Sequence, residues 1–66
     1  MDERYELVPV SYSIPGAALA TGLSESALRR YVRAGDLAVR FSGTKPLIER
    51  DELAAFIRAL PTEKPS

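Results

Sequence analysis

Cysteine and histidine are both missing from the 66-residue chain. Their absence removes disulfides, thiolate nucleophiles, imidazole bases and the usual zinc ligands, so stability has to come from a compact apolar core. Long apolar runs are missing too. No stretch approaches the roughly 20 residues that span a bilayer, and the acidic start Met1-Asp2-Glu3 does not suit the basic opening of a signal peptide. The expected setting is cytoplasmic, with no membrane partner. Catalytic groupings are equally scarce. Asp51 and Glu52 are neighbours in a helical stretch and point in different directions, and no base, nucleophile or glycine-rich phosphate loop accompanies them. The expectation is a protein that is not an enzyme, with no metal, no cofactor and no small-molecule substrate.

Net charge is absent as well, nine basic residues balancing nine acidic ones. A neutral chain is a poor general polyanion binder, but the distribution of charge matters more than its sum. Between residues 24 and 45, the five cations Arg29, Arg30, Arg33, Arg40 and Lys45 outweigh the two acids Glu25 and Asp36. The remaining acids lie in the flanking thirds, so a basic middle stands between acidic ends. Small domains polarised in this way present one face to a phosphate backbone. An apolar share of 45% with 27% charged residues is ordinary for a folded domain, and the length leaves room for one.

Local signals divide the chain. Residues 1–11 mix charge with Tyr5, Leu7, Val8 and Val10 around Pro9 and read as an extended, partly ordered arm, with Leu7, Val8 and Val10 available to pair with a hairpin or a neighbouring subunit. Ser13-Ile14-Pro15-Gly16 is a helix start, because proline is pre-organised for the first turn and a hydroxyl just before it satisfies free amides. A first helix is predicted over Pro15–Thr21, closed by Gly22. Ser24 is a good N-cap for a second helix over Glu25–Ala34, closed by Gly35. In that helix Ala27, Leu28, Tyr31 and Val32 share one side, while Ser26, Arg29, Arg30 and Arg33 share an arc about 100° wide on the other.

Leu37, Val39 and Phe41 alternate with Ala38, Arg40 and Ser42, as in a half-buried strand. Pro46-Leu47-Ile48 returns beside it after the loop Ser42-Gly43-Thr44-Lys45, which makes a small hairpin. A third helix begins near Asp51, where two carboxylates favour the positive helix end. Its apolar residues Leu53, Phe56, Ile57 and Leu60 keep helical spacing until Pro61 stops it. Residues 61–66 have nothing to bury and read as a flexible tail.

The order helix, glycine turn, helix, hairpin, helix contains a helix-turn-helix, in which the first helix braces the second so that the second can project into a groove. Ala18, four residues before Gly22, is small enough for the two helices to cross closely, and Leu28 and Tyr31 face back onto the first helix. A single surface arginine is ordinarily a solvated side chain. Three on one stripe of the second helix of this motif are a different observation.

The stretches Tyr12-Ser13-Ile14-Pro15-Gly16-Ala17-Ala18, Gly22-Leu23-Ser24 followed by the basic helix and Ala34-Gly35-Asp36-Leu37, and Lys45-Pro46-Leu47-Ile48 leading into Asp51-Glu52-Leu53 together resemble the excisionase-like branch of the MerR-type winged helix-turn-helix domains. Phage excisionases and small bacterial regulators belong to that branch. The resemblance covers about residues 12–60 and implies a mainly α fold with three short helices and a two-stranded wing. It implies a recognition helix over 25–34, a wing over 37–48 and a supporting helix over about 51–60.

Carried over, Ser24 and Ser26 would meet phosphates or base edges, Arg29 and Arg30 would reach bases or backbone, and Arg33 would hold phosphate. Arg40, Thr44 and Lys45 would serve the wing. The chemistry agrees, since a major groove admits a helix, arginine bonds bidentately to guanine, and helix N-termini suit phosphates. Glu25 departs from this pattern: it stabilises the first turn by about 0.3 to 1 kcal/mol, and near DNA it either repels phosphate or accepts a bond from cytosine N4. The wing tip departs too, with one cation where many relatives are more basic and aromatic.

The expected partner is double-stranded DNA. The function that the resemblance implies is that of an excisionase, or recombination directionality factor, which binds cooperatively and head to tail on DNA and bends an attachment site for an integrase. Residues 61–66 do not read as the long dimerisation helix of the larger MerR-type regulators, so a fixed two-fold dimer is not the expectation. The alternatives are a small phage or bacterial transcriptional regulator using the same surface, and a protein-interaction module that has lost DNA binding. The expected location is a bacterial or phage-infected cell, in association with the nucleoid.

Overall fold

A computed structural model describes residues 8–65. Residues 1–7, and with them Tyr5, Leu7 and most of the expected arm, lie outside the described part, as does Ser66. The elements in chain order are β1 (Ser11–Tyr12), α1 (Ile14–Thr21), α2 (Glu25–Arg33), β2 (Arg40–Ser42), β3 (Lys45–Glu49) and α3 (Arg50–Ala59). The fold is a winged helix-turn-helix, mainly α with a small antiparallel sheet.

Local chemistry sets the helix ends. The Ser13 hydroxyl accepts from the Gly16 amide at 3.1 Å and caps α1, which therefore opens at Ile14, one residue before the expected start. Pro15 falls in the first turn, where its missing N–H has no helical partner to lose. At the other end Gly22 adopts φ 81°, a left-handed conformation, and its amide donates to the Ala18 carbonyl at 2.9 Å. Thr21 reinforces the corner. Its hydroxyl donates to the Ala17 carbonyl at 2.7 Å and accepts from the Leu23 amide at 3.2 Å. Two residues later the Ser24 hydroxyl accepts from the Ala27 amide at 3.0 Å and starts α2. This helix ends at Arg33, with Ala34 as its cap. Beyond Gly35, also left-handed at φ 84°, the Asp36 and Leu37 amides both donate to the Tyr31 carbonyl, at 2.9 and 3.3 Å.

The sheet has the order β1-β3-β2, both pairings antiparallel. The register places Arg40 opposite Leu47, Phe41 opposite Pro46 and Ser42 opposite Lys45, leaving Gly43 and Thr44 as a two-residue turn. Gly43 has φ 63° and Thr44 does not have a positive φ, the combination of a II′ turn. On the other edge of β3, Ser11 pairs with Glu49 and Tyr12 with Ile48. This third strand departs from the expected two-stranded hairpin. Ser11, expected in the arm, belongs with Tyr12 to the sheet, because β3 offers a second edge. Val8 and Val10 remain exposed.

Among the described residues seven side chains form the core: Ile14, Ala17, Leu28, Leu37, Ile48, Leu53 and Phe56, with Leu28 and Ile48 the largest of these that are fully enclosed. The Tyr31 and Phe56 rings meet edge to face with centroids 4.9 Å apart, so Tyr31 is a packing residue. Three expectations are adjusted. The alanine fully enclosed between the helices is Ala17, with Ala18 at the margin. Leu37 is buried but precedes the strand, Val39 is half-buried, and Phe41 is 65% exposed, because β2 starts only at Arg40 and its hairpin reaches past the helices. Along α3, Leu53 and Phe56 are buried, Leu60 is partly so and Ile57 lies at the edge. The helix starts at Arg50, whose amide donates to the Val10 carbonyl at 3.0 Å. It stops before Leu60, which the following proline holds in an extended conformation. Among the described residues no helix is long and apolar enough to cross a membrane.

Candidate nucleic-acid interface

Packing determines which face of α2 is free. Leu28 turns fully inward and Tyr31 and Val32 pack partly against the core, which leaves the opposite side to solvent. Ser26, Arg29, Arg30 and Arg33 are all exposed on that side, in the arc that helical periodicity predicts. Glu25 is exposed at its edge and lies 3.6 Å from Arg29, one turn on. Their side chains are 50% and 51% exposed, so this bridge is worth about 0.3 to 0.5 kcal/mol and yields easily to a phosphate. Among the described residues no carboxylate lies within ion-pair distance of Arg30 or Arg33. Ser24 is exposed with its hydroxyl oxygen engaged by the Ala27 amide, and the hydroxyl proton remains available for donation.

The hairpin divides the remaining predicted residues. Cross-strand partners share a face, so Arg40, Ser42, Lys45, Leu47 and Glu49 lie on one side while Phe41, Pro46 and Ile48 lie on the other. Ile48 is in the core, which makes its side the one turned toward the helices. Arg40 therefore points away from α2. Its Nε donates to the Glu49 carboxylate, diagonal to it across the strands. That hydrogen bond, followed by the charge of Glu49 and in smaller part that of Glu52, holds the Arg40 guanidinium above its ordinary pKa, against slight desolvation. The guanidinium is locked in its charged form but locally neutralised. Thr44 and Lys45 are exposed at the tip, and neither has a side-chain hydrogen bond or ion pair within the described residues. The nine predicted residues thus separate into an α2 stripe with its cap, the hairpin tip of Thr44 and Lys45, and Arg40, which lies on the same outer face as Lys45 but is tied to Glu49.

Sequence reasoning missed the inner face of the hairpin. Arg29, Val32, Arg33, Val39, Phe41 and Pro46 line a shallow groove of about 190 Å³ between α2 and the sheet. Alternation places Phe41 on this side; what the sequence does not show is that the ring is left uncovered, 65% exposed beside α2. Arg50 was also missed: its guanidinium donates to the Pro9 carbonyl at 3.3 Å and lies 3.7 Å from Asp51, fastening the segment before β1 to the start of α3.

A braced, capped helix with a cationic outer stripe beside a hairpin defines a DNA-binding helix-turn-helix protein. Residues 11–61 match the family model described as a helix-turn-helix domain, and the chain belongs to that family. No match was found among curated proteins or among solved structures.

Proposed function

We propose that this protein is an excisionase-type recombination directionality factor. It binds double-stranded DNA in a sequence-specific way, with α2 in the major groove and the hairpin tip on the adjoining backbone. The observation that carries this reading is the position of Arg29, Arg30 and Arg33 on one exposed stripe of a helix whose opposite face is sealed by Leu28. Arg29 and Arg30 reach bases or backbone and Arg33 holds phosphate, with Ser24, Ser26 and Glu25 at the helix start and Thr44 and Lys45 at the tip; among the described residues no carboxylate pairs with Arg30 or Arg33. The winged helix-turn-helix domain, residues 12–60, is the functional unit.

A single module of this kind covers roughly 600 to 1,000 Å² of protein surface on DNA, which limits the affinity of one copy. Several copies bound head to tail on adjacent sites gain affinity through effective concentration, and a heterologous contact that does not close continues along the duplex. Such an array bends attachment-site DNA so that an integrase assembles for excision. The test is a footprint on attachment-site DNA combined with an integrase-dependent excision assay. Repeated direct sites beside the crossover core, and loss of excision when Arg29 and Arg30 are replaced by alanine, are expected. Protection of one isolated operator, with excision indifferent to the protein, would instead make it a transcriptional regulator.

A further inference from the structure

Phe41 has no role in the core. Alternation along its strand points it inward, yet it is 65% exposed, one of two phenylalanines in the chain. Among the described residues Val8, Val10, Leu19 and Ile57 are also exposed large apolar side chains, but Phe41 is the one that shares a groove with arginines of α2. One wall of that groove carries the guanidinium-bearing residues Arg29 and Arg33, one turn apart and about 6 Å along the helix axis. The other wall is Phe41 with its cross-strand partner Pro46, and Val39 beside them.

A mostly apolar groove bordered by two arginines matches a stretch of DNA strand, in which a deoxyribose ring is flanked by anionic phosphates within reach of the guanidiniums. We infer that this groove seats the sugar-phosphate backbone of the strand bordering the major groove, with Arg33 and Arg29 on phosphates and Phe41 packed against a deoxyribose. The inference rests on the DNA-binding reading and adds to it a residue that contributes affinity without reading sequence. Pro46 fixes the position of the ring: it has no amide hydrogen, and its ring stiffens β3 directly opposite Phe41. Arg29 leaves Glu25 for phosphate as the strand enters, an exchange that costs little at an exposed bridge.

The test compares Phe41→Ala with the unaltered protein by fluorescence anisotropy on a target duplex and a scrambled duplex over a range of salt. Phe41→Ala is expected to weaken binding about tenfold on both duplexes, as loss of one buried apolar contact does, with the salt slope unchanged because no cation is removed. Unaltered protein that binds neither duplex at low salt overturns the DNA-binding reading and this inference with it. Unaltered protein that binds while Phe41→Ala binds equally well overturns the inference alone. A loss confined to the target duplex also overturns it, since the ring would then read a base such as the thymine methyl. So does Phe41→Ala converting a self-associated protein to monomer in sedimentation without DNA, because the ring would then be a contact between copies. Thermal melting of Phe41→Ala and Phe41→Leu separates these outcomes from misfolding; both are expected to melt as the unaltered protein does, with Phe41→Leu keeping part of the affinity.

Discussion

Replacing Arg33 and, separately, Arg40 with alanine tests whether the partition of cations seen in the structure governs binding. From the sequence, both are expected to contact DNA, Arg33 by holding phosphate and Arg40 in the wing. The structure distinguishes them: Arg33 stands exposed on the α2 stripe, whereas Arg40 is hydrogen-bonded to Glu49 on the outer face of the hairpin. If Arg29, Arg30, Arg33 and Lys45 each neutralise one phosphate, the logarithm of the binding constant falls with the logarithm of salt concentration at a slope of about −3.6. That slope is about a 150-fold loss of affinity between 50 and 200 mM salt. Arg33→Ala removes one of the four and should flatten the slope by about 0.9. Arg40→Ala removes a cation and releases Glu49, so it should leave the slope unchanged. Anisotropy titrations on one duplex at four salt concentrations suffice. Equal changes in slope for the two variants, or a slope near zero for the unaltered protein, would refute the assignment of the binding face.

Leu28 is fully buried, and Leu28→Ala should cost about 2 to 5 kcal/mol in chemical denaturation. A chain of this length has about 3 to 10 kcal/mol in total, so the variant should lose a large share of its stability, whereas Leu19→Ala, at a position 90% exposed, should change stability by less than about 0.5 kcal/mol. Gly22→Ala meets no atom within 4 Å of the added carbon, so its cost is that of the left-handed backbone alone. It should be about 1 to 2 kcal/mol, with Gly22→Asn less damaging, both read as shifts in melting temperature. Ser24→Ala removes the α2 cap and should cost about 1 kcal/mol of stability. Measured at a temperature where the variant is folded, its DNA affinity then reports what the hydroxyl contributes beyond capping.

The parts of the fold legible in the sequence are those written in neighbouring residues. Ser13, Ser24, Gly22 and Gly35 act within four positions of themselves, and each sits at a helix end as its chemistry requires. The cationic stripe was legible for the same reason, since periodicity alone places Ser26, Arg29, Arg30 and Arg33 together. Features that depend on distant chain were not. Strand β1 has two residues and no alternation of its own, and it exists because β3 offers a free edge some 37 residues later. Whether Phe41 is covered depends on how far the helices reach along the hairpin, which its own strand cannot show. Arg40 and Glu49 meet only once the register is fixed. The sequence therefore revealed the helix that faces outward but not the residues that stand beside it.

How a chain of zero net charge attracts a polyanion follows from the same geometry. Glu49, Asp51 and Glu52 gather where β3 runs into α3, and Arg40 and Arg50 lean into that group, so two basic residues are partnered there rather than on α2. The helix-turn-helix corner holds the remaining central arginines outward on α2, where a neutral sum becomes a directional field. A domain polarised in this way is oriented by a phosphate backbone as it approaches, because the wrong face is repelled at the same distance at which the right face is attracted. A uniformly basic domain would bind any duplex tightly in many poses. If α2 and the hairpin are the binding face, neutrality with polarity predicts weak nonspecific binding and an affinity left to the few contacts those elements make. On the proposed reading, the limited contact area of one module predicts that occupancy rises with the number of adjacent sites, which titrations on one-site and several-site duplexes measure.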